Sequence, residues 1–232
     1  MPESARKCIA SWRKYLPNYE IIEWNEDNFD VNSIQYTREA YEAKKYAFVS
    51  DYARFKILYE HGGLYFDTDV EVIKTIDDII ERGDFMGIEV AADDQNPPFV
   101  AAGLGIGAHR GNEIYKLLLN YYQGLRFLNE DGTLNSVTVV KHTTKILVDN
   151  GLRSVNEIQK VGDIWIYPRD YFNPLDDNTG VLKITANTRS IHWYTKTWMK
   201  KRNPVLKWMI RSVHRVFGVD SLQWLKRILV RK

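Results

Sequence analysis

The chain has 232 residues, 44% hydrophobic and 27% charged, which fits one ordinary globular domain and excludes a disordered, collagen-like or disulfide-built chain. Its net charge of +2 hides an asymmetry: residues 196–232 hold 11 Lys or Arg and one acid, Asp220, leaving residues 1–195 at −8. The single cysteine, Cys8, cannot form an internal disulfide, no apolar run approaches the ~20 residues of a membrane span, and MPESARKCIASW has no apolar signal core, so the expected setting is the cytoplasm.

In chain order, Ala5–Tyr15 predicts a first helix, closed by Pro17-Asn18. The β-rich run YEIIEW predicts a strand over 19–24, followed by a polar turn at 25–30. Residues 38–60 read as helix in one or two pieces, and Gly62 suits a left-handed C-cap. Leu64-Tyr65-Phe66 predicts a short buried strand that runs into Asp67-Thr68-Asp69. A short helix at 77–81, strands at 85–90 and 100–107, and helices at 111–122 and 141–150 follow. Strands at 164–167 and 190–193 close the body, and a helix pair broken near Gly218 begins at Pro204. Helices and strands mix throughout, which argues an α/β class.

The chemistry concentrates in SDYARFKILYEHGGLYFDTDV, residues 50–70. Asp67 and Asp69, released from a strand end two residues apart, can converge on one hard divalent cation such as Mn²⁺ or Mg²⁺. An isolated D-x-D is also what a solvated acidic turn looks like. Asp51 and Arg54 lie one helical turn apart and share a face, the spacing of an ordinary surface ion pair. Their helix feeds directly into the strand before Asp67, which brings an acid, a guanidinium and two carboxylates together. A P-loop, a dinucleotide fingerprint and a G-x-S-x-G elbow are all missing from the sequence. The Gly- and Ala-rich run VAAGLGIGAHRGN, residues 100–112, reads either as a wall against a sugar or as a closely packed buried strand.

The run S-D-Y-A-R-F…G-G-L-Y-F-D-T-D resembles the signature of glycosyltransferase family 32, and more distantly the glucosylating domain of large clostridial toxins. Ser50, Asp51, Arg54, Gly62, Gly63, Tyr65, Asp67 and Asp69 fall on the pattern, and YPRDYFNP and IHWYTKTW extend the likeness to about residue 200. The resemblance implies a GT-A, Rossmann-like α/β fold with a mixed central sheet over residues 1–200. It further implies a retaining transferase that uses a nucleotide-sugar donor. Asp69 would ligate the metal, and Asp67 would contact the ribose and the metal shell. Asp51 and Arg54 would bind donor-sugar hydroxyls, with Ser50 and Tyr65 lining the donor pocket. His192 would ligate the metal or a phosphate oxygen, and Trp198 would lie near it; packing within the core is the other reading for both. Family members begin with a strand that this sequence lacks, so a non-catalytic glycan- or membrane-binding remnant is the rival expectation. A glycoside hydrolase is disfavoured, because neighbouring carboxylates on one loop do not flank a glycosidic bond.

Residues 201–232 form the expected basic amphipathic helical tail. Val205, Trp208, Met209, Val213, Val216 and Phe217 recur at helical spacing, and Lys207, Arg211 and Arg215 form a basic stripe. Such a helix over 204–230 suits an anionic membrane surface, and no nucleic-acid motif accompanies the charge. The expected partners are therefore a nucleotide-sugar, a polysaccharide or lipid-linked glycan acceptor, and the inner face of the cell membrane. Capsule, exopolysaccharide or lipopolysaccharide synthesis is the expected setting.

Overall fold

A computed structural model describes residues 1–195 and 203–222. A central sheet runs in the order β1-β5-β3-β7-β6, built from β1 (Gly63–Tyr65), β3 (Phe85–Val90), β5 (Ile106–Ala108), β6 (Gln159–Val161) and β7 (Ile164–Tyr167). β4 (Phe99–Ala101) pairs with β3 on the same edge as β5. β3 and β7 are parallel, with Phe85 opposite Trp165, and the other pairings are antiparallel. The mixed α/β class read from the sequence is what the chain adopts, and it is compatible with a GT-A arrangement.

Alternation along the strands divides the core into two layers. Met86 and Ile88 of β3, with Ile164 and Ile166 of β7, pack under α2 (Gln35–Glu42), α3 (Tyr46–His61), α5 (Glu113–Gln123) and α6 (Val139–Asp149). Phe85 and Tyr167 face the other way, onto α1 (Glu3–Tyr15), α4 (Asp77–Arg82) and α7 (Arg169–Phe172). Phe85 stacks on Phe172 at 5.5 Å, and Gly87 leaves the room that the Phe172 ring occupies. On the first layer the buried Glu39 carboxylate accepts from the Phe127 and Leu128 backbone N–H groups and from Arg126. It thereby fastens the loop after α5 to α2.

Several expectations change on contact with the structure. Residues 19–24 form no strand; Tyr19, Ile21 and Ile22 lie exposed, with no partner strand among the described residues. β-propensity stabilises a strand only where a neighbouring edge is available. The helical stretch 38–60, read as one or two pieces, is two helices, with Lys44 at φ 56° between them. Gly62 does take positive φ (73°), but its ψ of −170° is extended rather than left-handed helical. A side chain there would press on Ala108 O and Arg110 N at 3.1 Å, so the helix exit needs glycine for space as well as for φ. The predicted strand 100–107 is two strands, β4 and β5, broken at Ala102–Gly105, where Gly105 has φ 136°.

A second, two-stranded sheet pairs β2 (Val70–Val72) with β8 (Ser190–His192), setting Val70 opposite His192. β2 was missed in the sequence because three residues carry no readable alternation. α1 clamps β2 directly: Trp12 Nε1 donates to Val70 O at 2.8 Å, and Val72 N donates to Ser11 Oγ at 2.9 Å. The first helix thus fixes the strand that follows the D-x-D loop.

α8 (Pro204–Phe217) is a separate helix laid against the body and followed by a short 3-10 turn at Val219–Leu222. The second half of the predicted helix pair, like the boundary at residue 200, lies outside the described residues. No helix among the described residues is long and apolar enough to cross a membrane.

Candidate active site

The D-x-D loop opens into a cleft of about 750 Å³, a volume in the usual range for small-molecule sites. Ser50, Asp51, Arg54, Tyr65, Asp67, Asp69 and His192 all line it. Trp198 lies outside the described residues.

One wall is built on α3. Arg54 is 4% exposed and Asp51 8%. The guanidinium donates from Nε to Ser50 O (3.0 Å), and from Nη2 to Ser50 Oγ (3.2 Å) and Asp51 Oδ1 (2.9 Å). Its Nη1 reaches Asp67 Oδ1 at 3.3 Å, without hydrogen-bond geometry. Tyr65 supplies the missing hydrogen bond, donating from its hydroxyl to Asp67 Oδ1 at 2.8 Å, and its ring lies 4.7 Å from the Arg54 guanidinium carbon. The i,i+3 pair that looks like a surface salt bridge in the sequence is therefore a buried frame for Asp67.

The break between β4 and β5 supplies the other side of that frame. Asp67 N donates to Gly103 O at 3.0 Å, and the Asp67 carboxylate lies directly over Gly103. A methyl group on Gly103 would fall 2.0 Å from Asp67 Oδ2. The Gly- and Ala-rich run read as sugar wall or strand packing therefore contains a contact the sequence did not reveal. Its signal was a lone glycine inside an apolar strand pattern, a known mark of close backbone approach.

The second wall comes from the β2–β8 ladder. His192 Nε2 lies 3.2 Å from Asp69 Oδ1. Asp69 Oδ2 accepts from Thr195 N at 2.8 Å and Thr195 Oγ1 at 3.0 Å, while Trp193 N bonds to Asp69 O. Tyr194, between them, has φ 52°, a strained conformation for a bulky residue, and it turns the chain back onto Asp69. Its ring packs 4.1 Å from that of His192, and its hydroxyl meets Asn173 Nδ2 (2.7 Å) and Glu89 Oε1 (3.2 Å). Thr195, Tyr194, Glu89 and Asn173 were not singled out in the sequence, although Asn173 falls within the YPRDYFNP run and Tyr194 and Thr195 within IHWYTKTW.

The electrostatics separate Asp51 from Asp69. Burial pushes the Asp51 carboxyl up to about 7; Arg54 opposes the shift and Asp67 adds to it. Burial also works against ionised Asp69, but the bonds from His192 and Thr195 outweigh it and hold that carboxyl down at about 2. Burial opposes a charged His192, yet the Asp69 carboxylate raises its pKa above the ordinary value.

A folded-state pKa raised above the unfolded value makes Asp51 favour folding below about pH 4 and lose that contribution as pH rises through about 7. The Tm of Asp51→Asn relative to wild type should therefore climb between pH 4 and pH 8. Parallel melting curves across that range would contradict the assignment.

Oxygen and nitrogen ligand atoms of Asp67, Asp69 and His192 all lie within 4.8 Å of one another, each on a half-buried side chain facing the cleft. Two carboxylates and one imidazole at that spacing fit a divalent cation, which would take the place of the proton His192 shares with Asp69.

Residues 2–86 match the family model described as glycosyltransferase sugar-binding region containing DXD motif. The matched stretch holds Ser50, Asp51, Arg54, Tyr65, Asp67 and Asp69, so this part of the chain is similar to the sugar-binding region of D-x-D glycosyltransferases. No curated protein matches the chain.

Proposed function

We propose that the chain is a metal-dependent, retaining hexosyltransferase that moves a sugar from a nucleotide-sugar, a UDP-sugar first, to a growing polysaccharide or glycolipid. The observation that carries this reading is the meeting of two independently built walls in one cleft. The Asp51–Arg54–Asp67 frame and the Asp69–His192 pair come from distant parts of the chain.

Asp67, Asp69 and His192 would hold a Mn²⁺ or Mg²⁺ ion, which when bound neutralises charge on the diphosphate leaving group. The remaining work falls to the chain itself. Asp51 and Arg54 offer a carboxyl and a guanidinium to the donor's hydroxyls through charge-assisted hydrogen bonds. Their burial and mutual bonding fix their positions before the donor arrives, so little reorganisation is left for the transfer. In the transfer the bond from the anomeric carbon to the diphosphate oxygen breaks, and a bond from that carbon to the acceptor oxygen forms on the same face. The acceptor's proton passes to the leaving diphosphate oxygen. Glu89, Tyr194 and Arg169 line the cleft beyond His192 and offer polar groups to the acceptor.

A thermal-shift panel of UDP-, GDP- and dTDP-sugars, with and without Mn²⁺, tests the reading. One nucleotide should raise Tm only with Mn²⁺, and Asp69→Ala should abolish the shift while remaining folded. A folded wild type that responds to none of the donors would overturn it.

A further inference from the structure

α8 is fastened to the body through part of its cationic stripe. The stripe containing Arg211 and Arg215 turns inward, onto the loop at 176–180. Arg211 donates from Nε to Asp177 O at 3.1 Å and from Nη2 to Asp177 Oδ1 at 2.9 Å. His214 Nδ1 donates to Asn178 O at 3.1 Å, and Arg215 Nε to Thr179 O at 2.7 Å. Gly180 leaves the space that the Arg211 side chain fills. With the cationic face used in this way, the opposite face carries apolar groups into solvent. Val205 is 64% exposed, Met209 53% and Val216 73%, and Trp208, on the flank next to Arg211 and Arg215, is 68% exposed.

From this orientation we infer that α8 is a docking surface for an anionic lipid membrane, with its apolar face entering the headgroup region. A large aliphatic and tryptophan face left in water is unfavourable, and the charge pattern selects its occupant. The helix is flanked in sequence by residues 196–202, with Lys196, Lys200, Lys201 and Arg202. Beyond it, residues 223–232 carry Lys226, Arg227, Arg231 and Lys232. Neither flank holds an acid. Eight cations adjoining the helix in sequence complement an anionic headgroup layer, whereas a second copy of this tail would repel them.

The docking loop also places this surface relative to the cleft. Asp176, Asp177 and Asn178, to which α8 is bonded, line the cleft wall. α8 is therefore anchored on a loop of the cleft wall, and, on the function proposed above, the acceptor would be a lipid-linked saccharide presented from the membrane that α8 binds.

The test uses the full chain and sedimentation with vesicles of phosphatidylcholine alone or mixed with phosphatidylglycerol. Wild type should bind the mixed vesicles in preference to the neutral ones. Met209→Asp combined with Val216→Asp should lower that partitioning by about tenfold or more, as expected for losing two buried apolar side chains. The Mn²⁺-dependent donor shift should be unchanged in the double variant, so failure of the membrane inference and failure of the donor reading show in separate readouts. Unchanged vesicle binding by the double variant would overturn the inference, because the basic flanks would then suffice. Failure of wild type to bind either vesicle would overturn it too. So would a wild-type dimer in light scattering that the double variant abolishes, since a second copy would then cover the face.

Discussion

Gly103→Ala should lower kcat/KM by about 10²-fold or more while leaving a folded protein. The added methyl group would sit 2.0 Å from Asp67 Oδ2 and 2.8 Å from its Cγ, far inside van der Waals contact. Asp67 cannot withdraw freely, because its backbone N–H is bonded to Gly103 O. Its Oδ1 is also held by Tyr65 and faces Arg54. The carboxylate must therefore swing away from the position that places it with Asp69 and His192. A displacement of about 1 Å in a positioned group costs rates of this order. Overpacking should also cost about 1–3 kcal/mol of stability, which melting would report. Gly124→Ala is the control: its Cβ would meet nothing closer than Tyr121 O at 3.6 Å. Retention of wild-type kcat/KM by Gly103→Ala would show that the position of Asp67 is not limiting.

Arg54→Lys is expected to have a comparable effect for a different reason. One planar guanidinium serves Ser50, Asp51 and Asp67 at once and lies against the Tyr65 ring. An ammonium is a point charge on a flexible stem and cannot span those directions. Activity should fall by about 10²-fold or more even though charge is conserved. Breaking this buried pair also leaves Asp51 without its partner, and such losses run to about 3–5 kcal/mol. Arg54→Met with Asp51→Asn should therefore be less destabilised than the sum of the two single variants, with a coupling of about 0.5–3 kcal/mol. Simple additivity in that cycle, measured by denaturant unfolding, would mean that the two side chains do not act as a unit.

Much of the α3 wall was legible in the sequence because it is local. Residues three apart on a helix share a face whatever the rest of the chain does, so Asp51 and Arg54 had to be neighbours. The tight Gly62-Gly63 exit then carries the chain into β1 and the D-x-D loop within a few residues. The β2–β8 wall had no such local signature. Val70 faces His192 only because two three-residue strands pair in one register, and a slip of one residue would turn His192 away from Asp69. Thr195 reaches Asp69 through the turn at Tyr194, whose positive φ no residue type announced.

Residue spacing by itself determined the chemistry on offer: two acids two apart after a strand, an acid and an arginine on one helical turn, and a cationic, apolar tail. Short-range geometry follows from bond angles and helical pitch, so those features hold in any fold that keeps their elements. Only the tertiary structure decided what each group faces. The break between β4 and β5 puts a bare glycine under Asp67, where the unbroken apolar run predicted a strand. Packing on the 176–180 loop turns Arg211 and Arg215 inward and leaves Val205, Met209 and Val216 outward. Amphipathic periodicity shows that a helix has two faces, but which face meets the body depends on the partners waiting there. Here those partners are the carbonyls of Asp177 and Thr179 and the Asp177 carboxylate, which draw in the cationic face.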